Sequence, residues 1–229
     1  MLYIRKSAER GHANHGWLDS YHTFSFAGYY DPRFMGFSHL RVINEDRIMP
    51  SKGFGTHPHR NMEILTYVLE GTVAHKDSMG NIEELKAGEC QIMSAGSGIT
   101  HSEFNPSETE MLHLYQIWIE PNEMNITPRY AQKAFAEVEG ATLILSPTAE
   151  ANSFKVYQDM KLWRYQFKQT QQTSIPLEEK RHYWLQMIKG SAKINEQYVQ
   201  AGDAIAVTNE LALKIKIDNH VEFLLFDLV

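Results

Sequence analysis

Short apolar runs, separated by breaks rich in glycine, asparagine and aspartate, dominate the 229-residue chain. "HLRVINEDRIM" reads as a strand, a turn at Asn44-Glu45-Asp46 and a return. "EILTYVLEGTVAHKD" is rich in β-branched and aromatic residues and breaks at Glu70-Gly71. "DSMGNIEELKAGECQIM" supplies a hairpin tip at 78–81 and a second turn at Ala87-Gly88, and "MLHLYQIWIE" is an apolar strand stopped by Pro121. In "LALKIKI", Leu211, Leu213, Ile215 and Ile217 fall on one face and Lys214 and Lys216 on the other, the period of a half-buried strand. Strands at this spacing with glycine-bearing turns predict a sandwich or barrel, not a βα unit.

The texture changes after Pro121. "PNEMNITPRYAQKAFAEVEG" is polar, carries two prolines and predicts a short helix over Tyr130 to Glu139. Residues 1–125 are therefore expected to form a first domain, 126–145 a linker and 146–229 a second domain. The halves share a pattern: "YVLEGTVAHKDSMGNIEELKAGECQIMSAG" parallels "QMIKGSAKINEQYVQAGDAIAVTNE". Each runs apolar strand, X-Gly, short strand, turn, Ala-Gly-acid, apolar strand. Two copies of one β module follow, the second without the histidines and so a degenerate, structural copy.

Composition narrows the function classes. Hydrophobic residues at 43% and charged residues at 22% are those of a globular chain. A net charge of −6 disfavours a general grip on nucleic acid, which needs a basic face. The single cysteine, Cys90, excludes an internal disulfide and is expected to be buried. The N-terminus turns polar after four residues, unlike a signal peptide, and no apolar stretch approaches the ~20 residues of a membrane helix. A soluble, cytoplasmic, monomeric protein without membrane or direct nucleic-acid partners is the expectation.

Of the eleven histidines, only His182 and His220 lie beyond residue 113, so histidine chemistry belongs to the first half. His57 and His59 flank Pro58. On an extended strand such an i, i+2 pair projects to one face, with Cα atoms about 6.5–7 Å apart. Pro58 biases His57 toward extended geometry and marks a strand edge or entry. Downstream, "MSAGSGITHSEFN" places His101 and Glu103 at the same spacing. If the two strands are neighbours, three imidazoles and one carboxylate share a space, a donor set for one divalent transition metal ion with open positions. Glu63 competes for the carboxylate role, but Asn61 and Met62 turn the chain before it, which places it behind the ligands. His75, beside Lys76-Asp77, is expected to be exposed. His113 alternates within an apolar strand as a core or pocket residue. Gly96 and Gly98 lack a following Lys-Ser/Thr and read as a turn.

"GTHPHRNMEILTYVLEG" and "IMSAGSGITHSE", with "HGWLDSYHTFSFAGYYDP" ahead of them, resemble the pirin family of the cupin superfamily, over the first 130 residues or so. The shorter second half is similar to that of the compact bacterial pirin-like proteins. The resemblance implies an all-β bicupin fold and a metal site at His57, His59, His101 and Glu103. The general cupin pattern puts its glutamate where this chain has Ile64, one residue after Glu63, which favours Glu103. It also implies a metal, with iron first and copper, nickel, manganese, zinc or cobalt as alternatives. Several bacterial pirin-like proteins are similar to quercetin 2,3-dioxygenases, which open a flavonol with O2 and release carbon monoxide. Glu103 would then be the catalytic base and "WLDSYHTFSFAGYY" a source of aromatic walls, a role that competes with plain core packing. The alternative implied by the family is a non-catalytic metal protein, redox-sensitive and acting through a protein partner.

Overall fold

Strands account for nearly all regular structure in the computed structural model, which describes residues 1–229. Those of the first half are β1 (Leu2–Arg5), β2 (Gly11–Asn14), β3 (Leu18–His22), β4 (Leu40–Ile48), β5 (Gly53–His59), β6 (Glu63–Glu70), β7 (Thr72–Asp77), β8 (Ile82–Lys86), β9 (Glu89–Ser94), β10 (Ile99–Phe104), β11 (Leu112–Ile119) and β12 (Arg129–Ala134). The second half adds β13 (Gly140–Ser146), β14 (Phe154–Lys155), β15 (Lys161–Phe167), β16 (Gln171–Pro176), β17 (His182–Lys189), β18 (Ser191–Ile194), β19 (Gln197–Gln200), β20 (Ala204–Val207), β21 (Ala212–Ile217) and β22 (Val221–Leu228). No helix is long and apolar enough to cross a membrane.

Gly11–Phe135 forms one unit, and Met1–Arg10 with Ala136–Val229 the other. The first unit has a seven-stranded sheet, β12-β9-β6-β11-β4-β3-β2, and a four-stranded sheet, β5-β10-β7-β8. The second has β1-β20-β17-β22-β15-β13-β14 and β16-β21-β18-β19. Strand for strand the two orders are the same, so the fold is the all-β bicupin that the repeat and the resemblance imply.

Three local expectations differ from the structure. The N-terminal strand belongs to the second unit, because Leu2–Arg5 pairs with β20 from Leu2↔Val207 to Arg5↔Ala204. Residues 129–134 are strand, not helix. The open edge of β9 pairs with all six of them, and that pairing outweighs the helix propensity of Ala, Gln and Lys. Regular structure of the second unit then resumes at Gly140, ahead of the expected boundary at 146. Asn44-Glu45-Asp46 is no turn. β3 and β11 pair with it from both sides, so these turn-prone residues continue a central strand.

Gly71 and Gly190 end the equivalent strands β6 and β17 with φ of 77° and 73°. A side chain at Gly71 would meet the Met111 carbonyl oxygen at 2.7 Å, and one at Gly190 the His220 carbonyl oxygen at 2.0 Å. Only glycine accepts both the left-handed backbone and the close approach. These glycines set a common register for the two barrels. Thr66 and Leu185 then correspond, each five residues before its glycine and paired with Gln91 and Ile205. The second barrel's interior is one apolar cluster, including Leu185, Met187, Ile205, Leu213, Ile215 and Leu225. The first holds two smaller apolar clusters and a cavity of about 430 Å³.

Candidate metal centre

β5 is the outer strand of the four-stranded sheet, the position in which Pro58, without an N–H, removes no ladder bond inward. It pairs with β10 so that His57 stands opposite His101 and His59 opposite Ile99. A bulge between His101 and Glu103 shifts this pairing, while on the other side β10 stays in regular register with β7. His101 and Glu103 both remain buried on the inner face. Gly53 makes this packing feasible, because a Cβ there would lie 2.2 Å from the Glu103 carbonyl oxygen.

The three imidazoles converge. Ring centroids are 4.8 Å apart for His57 and His59, 4.4 Å for His57 and His101, and 4.8 Å for His59 and His101. Nδ1 of His57 donates to the Gly55 carbonyl oxygen at 2.8 Å. A carbonyl can only accept, so the neutral ring keeps Nε2 unprotonated, the form a metal ion needs. Both ring nitrogens of His101 are buried without a hydrogen-bond partner. Buried imidazole nitrogens are ordinarily satisfied, so an unpaired ring facing two other imidazoles fits an ion as its missing partner. Burial, with an electrostatic contribution from the adjacent His57, pushes His59 down to about 4. Burial does the same to His101, helped by His57, His59 and His75. His59 and His101 are thereby held neutral and able to ligate.

Glu103 is 2% exposed. Its Oε1 accepts from Gln91 Nε2 at 3.0 Å and from Thr66 Oγ1 at 3.3 Å, and its Oε2 accepts from Gln116 Nε2 at 2.6 Å. Burial pushes this carboxyl up to about 7 despite those donors, and the charge of Asp46 adds to the rise. The donor atoms of His57, His59 and His101 lie within 4.8 Å of one another, and so do those of His75, His101 and Glu103. His101 belongs to both triads, and His57, His59, His101 and Glu103 all line the one cavity.

His75 is not exposed. It is 1% accessible, stacks on Tyr130 at 4.6 Å between centroids, and has Nε2 3.2 Å from Asp77 Oδ2. The alternation Val73, His75, Asp77, all buried, carried that signal, and the charged neighbours masked it. Glu63 faces away from the cavity. Asn61 takes a left-handed turn (φ 49°) that breaks the straight path from His59. The Glu63 carboxylate instead accepts from Ser94 Oγ at 2.9 Å and lies 3.6 Å from Arg129 Nη2. His113 is half-buried, 3.0 Å from Glu45 Oε1 and outside the cavity lining. Cys90 is buried, as expected.

Trp17, Phe26, Phe54 and Trp118 give the cavity aromatic walls. Trp118 meets His59 edge-on at 4.9 Å and Phe26 at 5.4 Å. The aromatic segment expected to supply walls contributes Trp17 and Phe26, while Tyr21 and Phe24 pack elsewhere. Sequence reasoning missed Thr66, Gln91 and Gln116, which hold Glu103, and Asn44, Asp46 and Trp118, which line the cavity. The inward positions of β11 carried a signal, since Gln116 and Trp118 continue the face of Leu112 and Leu114.

The Pirin family model matches residues 3–119, and the model described as Quercetinase C-terminal cupin domain matches residues 143–228. Quercetin 2,3-dioxygenase of Escherichia coli K12 is 59% identical over 228 residues, covering 100% of this chain and 99% of that protein. A pirin-like protein of Caulobacter vibrioides is 37% identical over 221 residues, 95% of each chain. The crystal structure of the bacterial pirin YhhW from Escherichia coli in complex with nickel(II) is 59% identical. It superposes with a TM-score of 0.97 over 100% of this chain and 99% of that one.

Proposed function

The chain belongs to the pirin family, and on that footing we propose that it is a metal-dependent dioxygenase that opens a flavonol such as quercetin with O2. The observation that carries this reading is the unpaired, buried His101 facing His57 and His59 in an aromatic-walled cavity shared with Glu103. His57, His59, His101 and Glu103 would hold one divalent transition metal ion. Iron is the first expectation, and nickel is the ion in the related pirin structure. Bound there, the ion supplies Lewis acidity toward the flavonol oxygens and access to O2 chemistry.

The chain's own groups do the rest. Glu103, buried in the cavity beside the imidazoles, is the base that takes the proton of the flavonol 3-hydroxyl. Gln91, Gln116 and Thr66 fix the orientation of its carboxylate. Trp17, Phe26, Phe54 and Trp118 offer faces and edges to a flat ring system and exclude water from the electron-rich flavonolate. A cavity of about 430 Å³ falls within the ~300–1,000 Å³ of small-molecule sites.

Loss of quercetin absorbance in air, with O2 uptake and carbon monoxide release measured alongside, tests the proposal. Turnover by protein loaded with at least one of iron, copper, nickel or manganese supports it. Absence of turnover with every metal at one ion per chain overturns it. Turnover retained in His101→Ala overturns the ligand assignment.

A further inference from the structure

The cavity has a second polar wall, on β4. On β4 the inward positions run Leu40, Val42, Asn44, Asp46, Ile48, and all five are buried. Four-tenths of that face is therefore polar. Asn44 and Asp46, 4% and 3% exposed, both line the cavity. Neither is accounted for by packing. Oδ1 of Asn44 is buried and has no hydrogen-bond partner, an arrangement that is destabilising when nothing fills it. Asp46 accepts a hydrogen bond from the Ser20 hydroxyl through Oδ1, and the Ser20 oxygen lies 2.8 Å from His22 Nε2. The chain from His22 through Ser20 thus anchors one oxygen of Asp46. The second barrel carries no such pair. Register equates Asn44, opposite Gln116, with Trp163, opposite Leu225, and Asp46 with Tyr165, and both aromatic residues pack on the apolar core.

We infer that Asn44 and Asp46 form a substrate subsite that hydrogen-bonds a hydroxyl group on an aromatic ring of the substrate. This rests on the proposed function for the identity of the ring system, but not for the existence of the subsite. A phenolic hydroxyl both donates and accepts. Asn44 Oδ1 accepts a hydrogen bond from it, and the Asp46 carboxyl is a second polar partner on the same strand face. Asn44 stands directly across from Gln116, which holds Glu103, so the subsite lies one strand from the catalytic carboxylate. Its chemistry selects polyhydroxylated aromatic substrates over bare ones.

Anaerobic equilibrium binding to the metal-loaded protein tests this, with quercetin compared against 3-hydroxyflavone, which keeps the metal-binding oxygens and lacks the ring hydroxyls. In the wild type quercetin binds more tightly. In Asn44→Leu and in Asp46→Leu the preference for quercetin falls about tenfold, with metal content and thermal unfolding of each variant checked in parallel. Asp46→Asn, which keeps a polar partner of the same shape, restores at least half of the lost preference on a logarithmic scale. An unchanged preference in both leucine variants, as folded, metal-loaded proteins, overturns the inference. Resorcinol, a hydroxylated ring that does not chelate, separates the two proposals. If neither flavonol binds but resorcinol binds to the wild type and is lost in Asn44→Leu, the subsite stands and the flavonol reading fails. If neither flavonol nor resorcinol binds the wild type, or resorcinol binds Asn44→Leu equally well, the subsite is overturned.

Discussion

Where the first barrel has Glu103, the second has Ile215: the one pairs with His75, the other with Ile194, four residues after Gly71 and Gly190. The same register sets His101 against Leu213 and His57 against Ile175. It also sets Thr66, Gln91 and Gln116, the three groups that hold Glu103, against Leu185, Ile205 and Leu225. One scaffold thus carries two interiors. The polar one has a cavity, unpaired imidazole nitrogens and a carboxyl pushed up by burial. The apolar one is packed throughout with aliphatic and aromatic side chains. The scaffold does not require histidine or glutamate at these positions, because its second copy folds with leucine and isoleucine there. Their presence in the first copy is therefore a matter of chemistry rather than of folding.

Substitutions that exchange these interiors should have the largest and most divergent effects. His101→Ala is expected to reduce bound metal to background in elemental analysis and to abolish turnover. Leu213→Ala, at the equivalent position, should cost about 2–5 kcal/mol of stability in denaturant unfolding while leaving one metal per chain. Glu103→Gln should keep the fold and lower quercetin turnover by about 10²–10⁴-fold, the usual scale for a general base. Gln116→Leu, which installs the second barrel's residue type, should weaken metal affinity by about 10–100-fold in chelator competition, because it frees the Glu103 carboxylate to reorient.

Proton release on metal binding sharpens the same contrast. Without metal, Glu103 is held near 7, so it is protonated below that pH and must lose the proton to ligate. His59, held near 4, has no proton to lose at pH 6. Calorimetric titration in buffers of different ionisation enthalpy should show wild type releasing ~1 proton more than Glu103→Gln at pH 6, and almost none more at pH 8.5. The smallest effect belongs to the outer face of the second barrel. Lys214→Ala should change unfolding stability by less than about 0.5 kcal/mol and leave turnover unaltered.

The convergence of His57, His59, His101 and Glu103 on one cavity was legible because both pairs obey the two-residue period of a strand, and the repeat was legible because glycine marks the same pivot twice. What escaped was whatever pairing decides. Asn44 and Asp46 have turn composition, but β3 and β11 on either side make them part of a central strand. Arg129–Ala134 has helical composition, but the free edge of β9 draws it into the sheet, where Tyr130 stacks on His75 and its hydroxyl lies 2.9 Å from Gln91 Oε1. The β1 segment, at the chain's start, fills beside β20 the place that β12 fills beside β9, a long-range exchange with no local signature. His75 alternated correctly with Val73 and Asp77, yet its charged neighbours suggested a surface.

The most direct test is the rate of aerobic quercetin loss measured against metal content per chain, over preparations from metal-free to fully loaded. The account predicts a rate proportional to occupancy of a single ion, with O2 consumed and carbon monoxide released in step, and no rate in His101→Ala. A fully loaded protein whose rate does not exceed that of the free ion would contradict it.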